Sequence, residues 1–257
     1  MLENRVKQAL KRNEAVFGTG LVGPIGVTLL RTLANAGLEW LFMDLEHGCA
    51  DISDLFTDVQ VADMLGMVSV VRVPDLQYLW IARAMDAGAL SIMVPRVESK
   101  EQAEYAVRCA KYPPLGVRGM GSPAALSFAR VTPADALRIS NEQSMIVVQI
   151  ETVAGVEQSE AIASVPGVDV LFIGPLDLSI SLGAPGDLST PQWMEHAERV
   201  IAAARQHDKA VGIVTSVQQM RLWYDKGVRM LSVGTVLSYL RAGLEAAHNE
   251  FVLQFRS

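Results

Sequence analysis

Short runs of aliphatic and β-branched residues recur along the chain at nearly regular intervals. They are VFGTGLV (16–22), WLFMDL (40–45), VSVVRV (68–73), LSIMVP (90–95), MIVVQI (145–150), DVLFIG (169–174), AVGIVT (210–215) and MLSVGT (230–235). Runs this continuous mark strands buried on both faces, as in a parallel sheet covered by helices. Between most of them the apolar positions change to a helical period, as in LFTDVQVADMLG, LQYLWIARAMDAG and WMEHAERVIAAARQH, and several such segments close on glycine. Eight strands alternating with helices predict an α/β fold, a (β/α)8 TIM barrel, with residues 1–257 forming a single domain.

Two interruptions stand out against this rhythm. Residues 96–144 hold a predicted helix over 99–111 and then YPPLGVRGMGSPAALSFARVTPADALRIS, read as an extended loop before strand five with room for a short extra helix. SISLGAPGDLSTPQ forms a second loop after strand six, and long loops in compact domains tend to carry function. Beyond strand eight, a final helix aligns Leu237, Leu240, Leu244, Ala247 and Phe251 on one stripe, which packs either on its own barrel or on a neighbour's.

Composition narrows the classes of function. Half the residues are hydrophobic, 19% are charged, and the net charge of −6 is spread without a basic run, so no nucleic-acid partner is expected. The longest uncharged stretch, Ala15 to Leu30, is broken by Gly18, Gly20, Gly23, Pro24 and Gly26 and is too short for a bilayer, so no membrane partner is expected either. MLENRVKQALKRNE mixes both charge signs over a helical pattern, unlike a signal peptide, and Cys49 and Cys109 form no C-x-x-C pair; together these point to a cytoplasmic location. Cys49, two residues after His47, is read as a small buried thiol and not as a zinc ligand.

Barrel enzymes build their sites where strands end, so the informative residues are those that close each apolar run. Strand two closes with Asp44, Glu46 and His47, strand three with Arg72, and strand five with Gln149 and Glu151, while Asp177 follows strand six. Alternate residues of a strand share a face, so Gln149 and Glu151 point inward with Val147. Glu151 and Asp177 would then converge at the mouth, where two desolvated carboxylates require a cation, and all-oxygen ligation suits Mg²⁺ or Mn²⁺. Taken singly, either acid could instead be a helix cap or half of an ion pair.

The remaining strand-end residues suggest roles around that cation. Gly174 and Pro175 turn the chain into a short helix whose backbone, at Leu176, could donate to an anionic group. Arg72 is a fixed cation able to meet charge developing on a substrate oxygen, or else the partner of a barrel carboxylate. His47 is the histidine that ends a strand and could act as general base, whereas His196, His207 and His248 fall in helical segments. None of Lys7, Lys11, Lys100, Lys111, Lys209 and Lys226 closes a strand, which argues against Schiff-base chemistry.

Read together, MDLEHG, VVRVP, DAGALSIMVPRVES, PPLGVRGMGS, VVQIETVAGVE and VLFIGPLDLSISLG resemble, in order and spacing, the HpcH/HpaI family of metal-dependent pyruvate aldolases. The resemblance implies a class II aldolase that cleaves a 4-hydroxy-2-oxo acid to pyruvate and an aldehyde, or runs in reverse. It implies that Glu151 and Asp177 hold the metal, with Mg²⁺, Mn²⁺ or Co²⁺ serving. Gln149, Asp177 and the backbone at Leu176 would bind the 2-oxo acid, Arg72 would steady the enolate oxygen, and His47 would be the base. A carboxylate that raises the basicity of this histidine corresponds to Asp86, which closes the helix after strand three at the far end of its own barrel. Either a neighbouring subunit supplies Asp86, or Asp44 does that work. The family also implies a homohexamer, a trimer of dimers that exchange the C-terminal helix. Residues 121–140, GSPAALSFARVTPADALRIS, depart from the pattern of aromatic and basic residues expected after RGMGS, so the resemblance assigns nothing to the aldehyde side.

Three rivals are weighed against this reading. GTGLVG, with Asp44 some way downstream, imitates a dinucleotide-binding fingerprint and an NAD-dependent oxidoreductase, but only Ala15 to Phe17 precede its first glycine. A citrate-lyase-like enzyme would act on CoA thioesters. A barrel that binds oxo acids without turnover is the third.

Overall fold

A computed structural model of the chain describes residues 3–21, 23, 25–47, 50–121 and 130–256. Cys49 and residues 122–129, the end of RGMGS and the stretch that follows it, lie outside them. The strands are β1 (Val16–Leu21), β2 (Trp40–Asp44), β3 (Val68–Arg72), β4 (Ser91–Val94), β5 (Met145–Ile150), β6 (Val170–Ile173), β7 (Ala210–Thr215) and β8 (Met230–Thr235). Each pairs in parallel with the next, and β8 pairs back onto β1, closing the predicted barrel. Around it run α2 (Gly26–Asn35), α3 (Ile52–Met64), α4 (Tyr78–Asp86), α5 (Lys100–Ala110) and α6 (Pro133–Gln143). They are followed by α7 (Val153–Glu157), α8 (Ser159–Ala163), α9 (Pro175–Ser181), α10 (Pro191–Gln206) and α11 (Met220–Lys226). The short α1 (Arg5–Lys11) plugs the N-terminal end, where Asn4 Nδ2 donates to Ser91 Oγ at 3.0 Å.

Strand parity divides the apolar residues into two cores. Trp40, Phe42, Val70, Met93, Met145, Val147, Val170, Phe172 and Met230 fill the barrel, whereas Leu41, Met43, Ile92, Val94, Ile146, Val148 and Leu171 pack outward against helices. Glycines make room for the largest interior rings. A Cβ on Gly18 would lie 2.2 Å from the Trp40 indole, and one on Gly212 would lie 2.3 Å from the Phe172 ring. Trp40 and Phe172 then meet edge to face at 6.4 Å between centroids. Gly18 therefore serves packing inside a closed barrel, and the dinucleotide reading of GTGLVG loses its open sheet.

The extended loop before strand five is more structured than expected, for its second half is the eleven-residue helix α6. Thr132 caps it by accepting from the Asp135 N–H, and Pro133 occupies its first turn. The final helix α12 (Val236–Phe255) touches its own barrel only through its first turns, where Tyr239 Oη donates to the Val233 carbonyl at 2.7 Å, and leaves the rest of its apolar stripe uncovered. Val236 is its buried residue, and Leu237, Leu240, Leu244, Phe251, Leu253 and Phe255 are exposed. Among the described residues no helix is long and apolar enough to cross a membrane.

A cavity of about 580 Å³ opens at the N-terminal face, lined among others by Lys11, Arg205, Asp208 and Lys209. The polar residues that close the strands lie at the opposite end.

Candidate active site

Inward parity carries three strand ends into one cluster. Asp44 of β2 lies in register with Arg72 of β3. The Arg72 guanidinium donates to both Asp44 oxygens, at 2.9 and 2.6 Å, and its remaining nitrogen meets Glu46 Oε2 at 3.0 Å. The head group also rests on the Phe42 ring, 5.0 Å from its centroid. Burial alone would lower the Arg72 pKa, but Asp44, then Glu46 and Glu151, more than offset it, so the group stays a firm cation. Arg72 is thus both an ion-pair partner and an oriented donor. One N–H on each terminal nitrogen remains for a substrate oxygen.

The end of β5 supplies the second half of the cluster. Register pairs Gln149 with Phe172 and Ile150 with Ile173, which sets Glu151 beside Gly174. The contact is close: a Cβ on Gly174 would lie 2.5 Å from Glu151 Oε2 and 2.8 Å from Gln149 Nε2. Glycine at 174 therefore opens the cradle in which both side chains stand. Gln149 Nε2 donates to Glu151 Oε2, and the Arg96 N–H donates to Glu151 Oε1 at 2.9 Å. Glu151 does not cap the helix it precedes, since Thr152 does so by accepting from the Gly155 N–H at 3.0 Å.

Electrostatics in this cradle favour a cation. Glu151 is 2% exposed, and its pKa is pushed from 4.5 up to about 7, first by burial and further by Asp177 and Glu46, against the Arg96 N–H and Arg72. Among the described residues the Asp177 carboxylate accepts no hydrogen bond, and Gln149 Oε1 is buried without a partner. With all groups ionised, Asp44, Glu46, Glu151 and Asp177 exceed Arg72 and Arg96 by two charges, which is what a divalent ion supplies. Among the described residues no three His, Cys, Asp or Glu side chains gather as a ligand set, so two carboxylates would leave other positions to water and substrate. The donors fit a hard, oxygen-bound cation.

The other sequence-predicted residues distribute unevenly. Leu176 and Asp177 stand in the first turn of α9, ahead of its first helical hydrogen bond, from the Leu178 N–H to the Gly174 carbonyl at 3.0 Å. Their N–H groups consequently have no acceptor within the helix. His47 is at the mouth and largely exposed, with Nε2 4.0 Å from Glu46 Oε2. Asp44 reaches His47 only through the backbone, as Oδ1 accepts from the Glu46 N–H at 2.9 Å and the His47 N–H at 3.4 Å. Asp44 thus shapes the loop that carries His47, and its carboxylate makes no hydrogen bond to the imidazole. Asp86 is not brought to this cluster within its own barrel. It ends α4 and pairs with Arg118 at 2.6 Å.

Two residues at the mouth escaped the sequence reading of roles. Glu46 bridges Arg72 and Arg96, and Arg96 gives its amide to Glu151. The signal for Arg96 was present, because it is the first polar residue after the apolar run of strand four.

Known proteins similar to this chain include aldolases. The family model for HpcH/HpaI aldolase/citrate lyase matches residues 26–241. A hydroxypyruvate/pyruvate aldolase of Pseudomonas aeruginosa is 36% identical over 251 residues, covering 96% of this chain and 92% of that protein. A 5-keto-4-deoxy-D-glucarate aldolase of Klebsiella pneumoniae is 34% identical over 251 residues, 96% of each. The crystal structure of an HpcH/HpaI aldolase from Desulfitobacterium hafniense matches with a TM-score of 0.89 at 32% identity, covering 95% of both chains.

Proposed function

The chain belongs to the HpcH/HpaI aldolase/citrate lyase family and is an aldolase, a carbon–carbon lyase; from this premise we propose how its mouth works. The reaction is the reversible cleavage of a 4-hydroxy-2-oxo acid to pyruvate and an aldehyde. Glu151 and Asp177 hold a divalent cation, Mg²⁺, Mn²⁺ or Co²⁺, which when bound acts as a Lewis acid on the 2-oxo acid. The observation that carries this reading is the Gly174 cradle, which packs Glu151 and Gln149 against the turn that leads to Asp177.

The chain's own residues do the rest. The free N–H groups of Leu176 and Asp177 and the Gln149 side chain orient the 2-oxo acid. His47 takes the proton from the 4-hydroxyl as the bond between C3 and C4 breaks, and the electron pair moves onto C3 and the 2-oxo oxygen. Arg72 faces that oxygen with the N–H groups not used by Asp44 and Glu46. A role for Asp86 in raising the basicity of His47 requires a neighbouring subunit. The exposed apolar length of α12 is consistent with a homo-oligomer, a hexamer in our reading, that covers this helix. We place the protein in the cytoplasm. The test is condensation of pyruvate with glycolaldehyde in Mg²⁺ or Mn²⁺: product should form, vanish with EDTA and return with added metal. Condensation indifferent to EDTA would overturn the metal assignment.

The Glu151 carboxylate also sets a pH dependence. Its pKa is 4.5 in an unfolded chain and about 7 in the folded, metal-free one. Below 4.5 both states are protonated and nothing is lost, whereas above 7 the folded state carries a buried charge that the unfolded chain does not. Metal-free protein should therefore lose stability as pH rises from 4.5 to 7, by on the order of 3 kcal/mol, and level off beyond. Mn²⁺ should restore it, raising the melting temperature more at pH 8 than at pH 5. An equal metal-induced shift at both pH values would contradict the assignment.

A further inference from the structure

The N-terminal face holds a second concentration of charge, which the chemistry of the mouth does not use. The cavity of about 580 Å³ there adjoins a smaller one of about 180 Å³, and the two share Leu10, Lys11, Asp208, Lys209 and Ala210. Together they make one concave surface between α1, α10 and α11, of a size that takes a small molecule. Its walls carry six lysines and arginines against three aspartates, in a chain whose own net charge is −6.

Pairing within this set determines which charges stay open. Lys7 Nζ meets Asp169 Oδ1 at 3.1 Å and donates to the Ser144 carbonyl at 2.7 Å. Lys226 pairs with Glu198, and Asp225 with Arg221 at 2.9 Å. Among the described residues, Lys11, Arg205, Lys209 and Arg229 have no carboxylate within ion-pair distance, and Asp208 is the lining acid without a cation at that distance. Arg229 is held rigidly all the same. Its Nε donates to the Asn13 carbonyl at 3.0 Å, and its Nη1 to the Tyr224 and Val228 carbonyls at 2.8 and 3.0 Å. The guanidinium also stacks on the Tyr224 ring, 4.2 Å from its centroid. All these partners are neutral, so the charge is fixed in place without being cancelled, and the N–H groups of Nη2 are unused. Lys209 is half-buried: burial lowers its pKa, Asp169 and Asp208 pull the other way, and Lys7 adds to the lowering.

We propose that this cavity is a second ligand site, at the opposite end of the barrel from the mouth, for a small polyanion that carries two or more negative charges on phosphate or carboxylate groups. Arg229 Nη2, Lys209 and Lys11 donate to its oxygens, and the exposed Arg205 adds charge at the rim. The open charges set the valence. Four cations less one acid leave an excess of three, which a phosphate ester or a polycarboxylate meets far better than a monoanion such as pyruvate. The site shares no residue with the mouth and does not depend on the carbon–carbon chemistry there.

Isothermal titration calorimetry of the full chain in Mg²⁺ tests this, with inorganic phosphate and propane-1,2,3-tricarboxylate as probes and sodium chloride of equal ionic strength as the control. At least one probe should bind saturably, one per chain, and raise the melting temperature. Binding of phosphate alone marks a phosphate-ester site, binding of the tricarboxylate alone a polycarboxylate site, and binding of both a site that reads charge; each supports the proposal. The double variant Lys11→Gln/Lys209→Gln removes two side chains that make no hydrogen bond among the described residues, so it should melt as wild type does without the anion and bind it about tenfold more weakly or worse. Glu151→Gln, at the other end of the barrel, should bind the anion as wild type does. Absence of saturable binding of either probe beyond the chloride control would overturn the assignment. So would affinity unchanged in the double variant, or binding lost in Glu151→Gln, which would move the anion to the mouth.

Discussion

Glu151→Gln should lower the rate of pyruvate–aldehyde condensation by about 10³-fold or more while leaving the metal-free protein more stable than wild type at pH 8. The two effects have one origin. Glutamine has nearly the shape of glutamate and can still accept from the Arg96 N–H, and the Gln149 amide need only turn over to accept from the new NH2, so the barrel has no reason to rearrange. It cannot carry the charge that a divalent ion requires, and several kcal/mol of transition-state stabilisation go with it. The same charge is what burial penalises in the empty site, where the pKa of Glu151 is pushed up to about 7. Removing it therefore relieves a cost that wild type carries above that pH. Asp177→Asn should cause a similar loss of activity with a smaller gain in stability, because Asp177 is exposed. Rates and urea midpoints measured on the same preparations separate this outcome from misfolding, which would lower both.

Gly174→Ala should cost about 10²-fold or more in activity through a single added methyl group. The backbone there, with φ −88° and ψ 93°, is open to alanine, so the penalty does not come from the main chain. It comes from neighbours, since the new Cβ would fall 2.5 Å from Glu151 Oε2 and 2.7 Å from Glu151 Cβ. Both are far inside van der Waals contact, and Gln149 Nε2 blocks the other side at 2.8 Å. Glu151 would have to turn away from its position beside Asp177, loosening the metal first. The expected signature is a higher metal concentration for half-maximal activity, with activity partly recovered at high Mn²⁺. Full activity at wild-type metal levels would mean the cradle does not control Glu151.

The frame was legible because parallel strands covered by helices are apolar throughout. The runs at 145–150, 210–215 and 230–235 coincide with β5, β7 and β8 to the residue, and β2, β3, β4 and β6 are shorter than the runs at 40–45, 68–73, 90–95 and 169–174 by one or two residues in all. Parity then sufficed to aim Gln149 and Glu151 inward. What parity cannot supply is register between strands, so the contact of Glu151 with Gly174 appears only in the folded chain. Helix α6 went unrecognised in full because its apolar face is narrow, with Ala136 its buried residue, although Thr132, Pro133 and Asp135 spell a helix start. Arg96 was missed for a different reason. It lies past the strand on a left-handed residue, where alternation no longer says which way a side chain points. The exposure of α12 is the reverse case, for the apolar stripe was plain but only coordinates show that its own barrel leaves it uncovered.

The central claim is that Glu151 and Asp177 hold one divalent ion between them. Titrating the metal-free protein with Mn²⁺ and reading the free ion by electron paramagnetic resonance addresses it without any substrate. One Mn²⁺ per chain should bind in wild type, more tightly as pH rises toward 7, and binding should be lost in both Glu151→Gln and Asp177→Asn. Undiminished binding in the two variants would place the ion elsewhere and contradict the account.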